Sequence, residues 1–87
     1  MMKEVRVLLL TTESCHFCDH AKAVLAKVAE EYPLEVSEMP ITSPEGRRLA
    51  ERDGVYIAPG IYVDGELFGQ GRLSAGKLRR RLEVQRP

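Results

Sequence analysis

The chain has little that would tie it to nucleic acid, to a membrane or to the cell exterior. Its 13 Lys and Arg are balanced by 13 Asp and Glu. Without an excess of positive charge it lacks the general attraction for phosphate backbones or anionic lipid surfaces that a basic protein has. Long apolar runs are also missing. Met1-Met2-Lys3-Glu4 leads into the run Val5 to Leu10, too short for a signal peptide or a membrane span. Only two cysteines occur, three positions apart, which is not the disulfide framework of a small secreted protein. No repeat, linker or low-complexity segment is present. At 87 residues one domain, 1–87, with a modest core is expected. The expected compartment is the cytoplasm, with neither nucleic acid nor membrane as partner.

What is present is a regular alternation of strand-like and helix-like stretches. Val5-Arg6-Val7-Leu8-Leu9-Leu10 alternates at first and then becomes continuously apolar, the pattern of a strand whose far end is covered on both faces. From Phe17 the apolar residues Phe17, Ala21, Val24, Leu25, Val28 and Tyr32 fall on one helical stripe, with Pro33 as the stop. Leu34 to Met39 reads as a strand with one face partly wet, ended by Pro40. Thr42-Ser43-Pro44-Glu45 carries two overlapping helix starts: Thr42 with Glu45 as a capping box, or Ser43 as N-cap with Pro44 at the first helical position. The polar helix that follows ends at Gly54. Asp64-Gly65 between Ile61-Tyr62-Val63 and Glu66-Leu67-Phe68 is a hairpin signal. Gly69-Gln70-Gly71-Arg72 reads as a loop, and Ser74 as the cap of a last helix carrying Leu78 and Leu82. The order β-α-β-α-β-β-α predicts an α/β fold, a four-stranded mixed sheet with helices on both faces.

Cys15-His16-Phe17-Cys18 stands where the first strand gives way to the first helix. That position puts one thiol at the helix N-terminus and the other one turn inside, where free backbone N–H groups and the positive dipole end favour a thiolate. For any thiol, lowering the pKa from ~8.5 to ~6.5 raises the thiolate fraction at neutral pH roughly 25-fold. The accompanying loss of nucleophilicity takes back about 8-fold, so the larger gain is as a leaving group. A C-x-x-C in a cytosolic chain with a βαβ pattern is the redox motif of thioredoxin-like proteins. Cys15, the more exposed, is the expected nucleophile, and Cys18 the buried resolving thiol. His16 adds positive charge beside the site when protonated, or else is an exposed linker residue.

Three features together resemble the thioredoxin superfamily in its smallest, glutaredoxin-like form: Cys15-His16-Phe17-Cys18, Ala58-Pro59 before the third strand, and the hairpin Ile61 to Phe68 with its glycine-containing loop. The resemblance implies a thioredoxin-like (glutaredoxin-like) fold and an enzyme that reduces protein or glutathione-mixed disulfides through a mixed disulfide on Cys15. It implies no bound cofactor, disulfide-containing proteins as partners, and glutathione or thioredoxin reductase as electron donor. It further implies a cis Pro59 beside the nucleophile and an Ala58 backbone that pairs with the substrate main chain. Phe17, the aromatic before the second cysteine, is a glutaredoxin trait. Arg72 can grip a carboxylate such as the glycyl end of glutathione, or be an ordinary loop arginine. Lys77, Arg79, Arg80 and Arg81 form a solvated helix face, or a surface for an acidic partner.

Other positions depart from the family. His16 replaces the proline between the cysteines, and Thr12 stands where glutathione-using members often have Lys. Gly69-Gln70-Gly71-Arg72 replaces a Gly-Gly pair, and Leu9 occupies the place of the buried Asp of thioredoxins. A different class is a binding module, or a metal or iron–sulfur carrier, whose thiols hold rather than exchange. Zinc needs four ligands, and His16 and His20 are too crowded with the cysteines to close a tetrahedron within one chain. No metal is therefore expected, short of a site shared between chains.

Overall fold

Strand β1 (Val5–Thr11) lies inside the sheet of the computed structural model, which describes residues 4–85. The reading of Met1 to Lys3 falls outside the described residues. On one side β1 pairs in parallel with β2 (Leu34–Pro40), Val5 opposite Leu34 and Thr11 opposite Pro40. On the other side it pairs antiparallel with β3 (Gly60–Val63), Leu10 opposite Gly60 and Val7 opposite Val63. β4 (Glu66–Gln70) completes the order β2-β1-β3-β4. The helices are α1 (His16–Val28), α2 (Pro44–Asp53) and α3 (Ala75–Gln85). No helix among the described residues is long and apolar enough to cross a membrane.

The period-2 alternation of β1 divides the core. Val7 and Leu9 point to one face with Ile61 and Val63, under Ala21, Leu25 and Val28 of α1 and Leu78 and Leu82 of α3. Leu10, with Leu8 partly buried, points to the other face, beside Tyr62, Ala50 of α2 and Val55. Helices therefore cover both faces; all of β3 is buried, as are Val5, Val7, Leu9 and Leu10 of β1, while Arg6 is exposed. β2 is the edge strand. Of its residues only Leu34 and Met39 are half-buried, and Val36 is 42% exposed.

Local signals account for most element ends. Ser43 is the N-cap of α2: its Oγ accepts the Gly46 N–H at 3.0 Å, with Pro44 opening the helix. This settles the overlapping start signals in favour of Ser43 over Thr42. Asp64 and Gly65 have φ of 48° and 85°, the paired positive values of a type I′ hairpin. Ser74 Oγ accepts the Lys77 N–H at 3.2 Å at the start of α3.

Three sequence expectations need correction. The helix expected to run to Tyr32 ends as α-helix at Val28. The N–H groups of Glu30 and Glu31 bond three residues back, to Lys27 and Val28, so the last turn tightens ahead of Pro33. Gly69 and Gln70, read as loop, are the end of β4. A bulge sets Ile61 opposite Gly69 and Tyr62 opposite Leu67, and pairing resumes beyond it with Gln70 opposite Gly60. The basic face of α3 is also not wholly solvated. Arg79 donates to Glu31 Oε2 through Nε and Nη2 at 2.9 and 2.6 Å, and Arg81 lies 3.8 Å from Glu66.

Tyr62 carries a polar link on the α2 side of the sheet. Its hydroxyl donates to Asp53 Oδ2 at 2.8 Å, with the Leu49 carbonyl a second acceptor at 3.3 Å. Burial, and then the hydrogen bond to Asp53, push its pKa up to about 12. Hydrogen bonds from Arg52 and then Tyr62 hold the Asp53 carboxyl below its ordinary range. The Asp53 contribution is thus present above that range and is lost as pH falls through its lowered value. The Tyr62 contribution is present below its ordinary value of 10.0 and is lost as pH rises toward about 12. Tyr62→Phe is expected to lower stability by about 1–2 kcal/mol at neutral pH in urea unfolding. It should also flatten the alkaline decline, and an unchanged decline between pH 10 and 12 would disprove this assignment.

Candidate active site

The cysteine pair is built by the way β1 hands over to α1. Beyond Thr11 the chain turns through Thr12, Glu13 and Ser14, with Ser14 at φ 52°, and Cys15 becomes the N-cap of α1. Cys15 has extended backbone, φ −106° and ψ 107°, and its Sγ accepts the Cys18 N–H at 3.0 Å. The sulfur stands where a Ser or Asp oxygen normally satisfies an orphan N–H. That N–H is aimed at negative charge on Cys15 once the pair is reduced. Cys15 and Cys18 are joined as a disulfide, their Cα atoms 5.2 Å apart.

Exposure separates the two sulfurs. Cys15 is half-buried, whereas Cys18 is 3% exposed at the head of the apolar stripe Ala21, Leu25 and Val28. His16 and Phe17 are exposed, Phe17 by 46%. The pair is thus asymmetric, with Cys15 partly open to solvent and Cys18 enclosed in the core. Among the described residues, no group of three or more His, Cys, Asp or Glu side chains is placed to hold a metal ion.

The segment between α2 and β3 leaves the sheet at the same end. Leu10, near the close of β1, opposes Gly60, so Pro59 lies at the sheet edge from which β1 runs toward Cys15. The Ala58–Pro59 bond is cis and Pro59 is buried. Its carbonyl accepts the Gly71 N–H at 2.9 Å, drawing the β4–α3 loop alongside. Gly71 is at φ 82°, a left-handed conformation that strains any side chain, and a Cβ there would also approach Ile57 Cγ2 to 3.3 Å. Arg72 follows in this loop, exposed. It lines a cavity of about 470 Å³ with His20, Val24, Leu73, Ser74 and Ala75. His20 Nδ1 is buried with no hydrogen-bond partner among the described residues.

Gln70 was not singled out as a functional residue from the sequence. Its Oε1 accepts the N–H groups of Tyr56 and Ile57 at 2.7 and 3.0 Å, and its Nε2 donates to the Gly54 carbonyl at 3.1 Å. The signal available in sequence was only an amide between two glycines, and those bonds cross 13 to 16 residues.

A four-stranded mixed sheet with helices on both faces, a C-x-x-C at the first helix N-terminus and a cis-proline at the same sheet edge define a thioredoxin-like protein. Residues 6–83 match the glutaredoxin-like domain family, and the chain belongs to it. It is 28% identical over 75 residues to a probable thioredoxin of Archaeoglobus fulgidus, spanning 86% of this chain and 82% of that protein. To a thioredoxin of Methanocaldococcus jannaschii it is 32% identical over 66 residues, 76% and 78% of the two chains. Two solved structures share the fold. One is a malarial protein, with TM-score 0.68, 16% identity and coverage of 95% of this chain and 98% of that one. The other is a Staphylococcus aureus protein of unknown function, with TM-score 0.65, 14% identity and coverage of 95% and 92%. Family membership and the bonded Cys15–Cys18 pair together support thiol–disulfide redox chemistry, an oxidoreductase in general terms.

Proposed function

We propose that the protein is a dithiol reductase of protein disulfides, with Cys15 as nucleophile and Cys18 as resolving thiol. The observation that carries this reading is the unequal exposure of two sulfurs bonded across the N-terminus of α1. The Cys15 thiolate attacks one sulfur of a substrate disulfide, forming a mixed disulfide and releasing the other sulfur as a thiol. Cys18 then gives up its proton and attacks the Cys15 sulfur, freeing the second substrate thiol. Two electrons have passed to the substrate, and the protein is left with the Cys15–Cys18 bond. A donor must then supply two electrons and two protons. The cycle needs no bound cofactor and suits a reducing compartment such as the cytoplasm. Its partners are disulfide-containing proteins, which the backbone of Ala58 beside Pro59 receives as an added strand, with His16 and Phe17 bordering the nucleophile.

For the donor, the reading favours thioredoxin reductase over glutathione. Thr12 stands where a glutathione-gripping lysine would be, the Gln70 carboxamide is engaged with the chain's own backbone, and two relatives are named thioredoxins. Turnover with NADPH and thioredoxin reductase is expected to exceed turnover with millimolar glutathione. The reduction potential is expected nearer −270 mV than the roughly −200 to −230 mV of glutaredoxins. Preferential turnover with glutathione would overturn this choice. The cavity that Arg72 lines favours a second reading, in which a glutathione carboxylate binds there and the substrate is a glutathione-mixed disulfide.

A further inference from the structure

We infer that Gln70 is a positioning residue, one that holds the Tyr56–Ile57 backbone so that Ala58 alone offers main-chain pairing to a protein substrate. The inference rests on the protein-disulfide reading above and adds to it what sets the register of the substrate.

Between the end of α2 and the start of β3 the chain has few anchors of its own. Val55 is held by its N–H to the Ala50 carbonyl and by burial, and Pro59 by its carbonyl to the Gly71 N–H. The residues between pack weakly: Tyr56 is 89% exposed and Ile57 55% exposed. Apolar burial therefore does not decide the path of this segment. The Gln70 carboxamide does, with one oxygen taking two consecutive N–H groups and its nitrogen reaching the Gly54 carbonyl.

Glutamine suits this place chemically. The span needs an acceptor for two N–H groups and a donor for a carbonyl on one planar group. Asparagine is one methylene shorter, glutamate has no donor, and methionine matches the length with neither function. The position of Gln70 is itself fixed, since it pairs with Gly60 at the end of β4 beyond the bulge.

Occupying these N–H groups has a consequence for recognition. Tyr56 and Ile57 cannot use theirs to pair with an incoming strand. The N–H and C=O of Ala58 have no partner among the described residues. An extended peptide exchanging both hydrogen bonds with one residue, as in an antiparallel pair, is thereby directed to Ala58. Pre-ordering the segment also removes an entropy cost from binding. A small disulfide with no main chain gains nothing from it.

The test compares the full-length wild type, Gln70→Met and Gln70→Glu on two substrates, insulin and 5,5′-dithiobis(2-nitrobenzoate), with KM and kcat measured separately. Gln70→Met is expected to raise the KM for insulin about tenfold with kcat held within about twofold. The ratio of kcat/KM for insulin to that for the small disulfide should fall by a similar factor. Gln70→Glu keeps the acceptor for Tyr56 and Ile57 and is expected to recover most of the KM. Hydrogen exchange of the Tyr56 and Ile57 amides should rise in Gln70→Met and not in Gln70→Glu. An unchanged insulin KM in Gln70→Met overturns the inference, as does an equal loss on both substrates, the mark of a merely structural role. Wild type that reduces neither substrate would instead overturn the parent reading, and this inference with it.

Discussion

Cys15→Ser is expected to lower disulfide turnover by on the order of a thousandfold or more, because a serine hydroxyl at neutral pH has almost none of the anion that a thiol supplies. Neither its place at the head of α1 nor the Cys18 N–H at 3.0 Å can compensate for a pKa so far above neutrality. Cys18→Ser should behave differently. Cys15 still attacks, but the buried position no longer holds a sulfur to resolve the product. The expected species is a stable mixed disulfide on Cys15, visible as a mass increase by mass spectrometry and released by dithiothreitol. Both variants also lose a cross-link. Its loop spans only three positions, so the loop-entropy estimate is about 2 kcal/mol. Comparison with reduced wild type removes that difference and leaves the chemical effect. Full turnover by Cys15→Ser would sink the assignment of the nucleophile. Undiminished turnover of Cys18→Ser with glutathione would replace the dithiol route with a monothiol one.

Leu9→Ala is expected to destabilise the fold by about 2–5 kcal/mol in urea or thermal unfolding. Leu9 is fully buried, with 0% exposure, in a strand paired on both sides, opposite Glu38 and Ile61. Its cluster includes Leu25 and Val28 from α1 and Leu78 from α3. Elements from both ends of the chain meet there, and relaxation can refill little of the space. A chain of this length has a total stability of roughly 4–13 kcal/mol, so the loss is a large part of the whole. The fall in Tm should be at least about 8 °C. Leu8→Ala is the control. Leu8 points to the opposite face and is only half-buried, so its truncation should cost clearly less. A larger effect at Leu8 than at Leu9 would show that the face assignment of β1 is wrong.

The position of Leu9 also bears on catalysis. With leucine where thioredoxins have a buried carboxylate, β1 contributes no proton acceptor at that position. In the proposed cycle the Cys18 proton therefore passes to another group or to solvent. Glu13, in the turn before Cys15, is exposed.

Much of this protein is legible in its sequence because the relevant physics is local. The helical stripe from Ala21 to Val28, the Ser43-Pro44 start of α2, the Asp64-Gly65 hairpin and the C-x-x-C at the opening of α1 depend on residues within a few positions of one another. Periodicity and capping therefore suffice to place them, and the continuous apolar run Val7-Leu8-Leu9-Leu10 already implies a strand covered on both faces. The unequal exposure of the two sulfurs follows from the same logic, since one is the N-cap and the other lies a turn further in. What only the tertiary structure decided are features in which distant segments meet. The bulge opposite Ile61 and Tyr62 carries β4 on to Gln70, the edge position leaves Val36 of β2 in solvent, and Arg79 finds Glu31 across 48 positions. The hold of Gln70 on the segment before cis-Pro59 is of this kind. A carboxamide is chemically indifferent to which backbone it meets, and only the fold brings Gly54, Tyr56 and Ile57 within its reach.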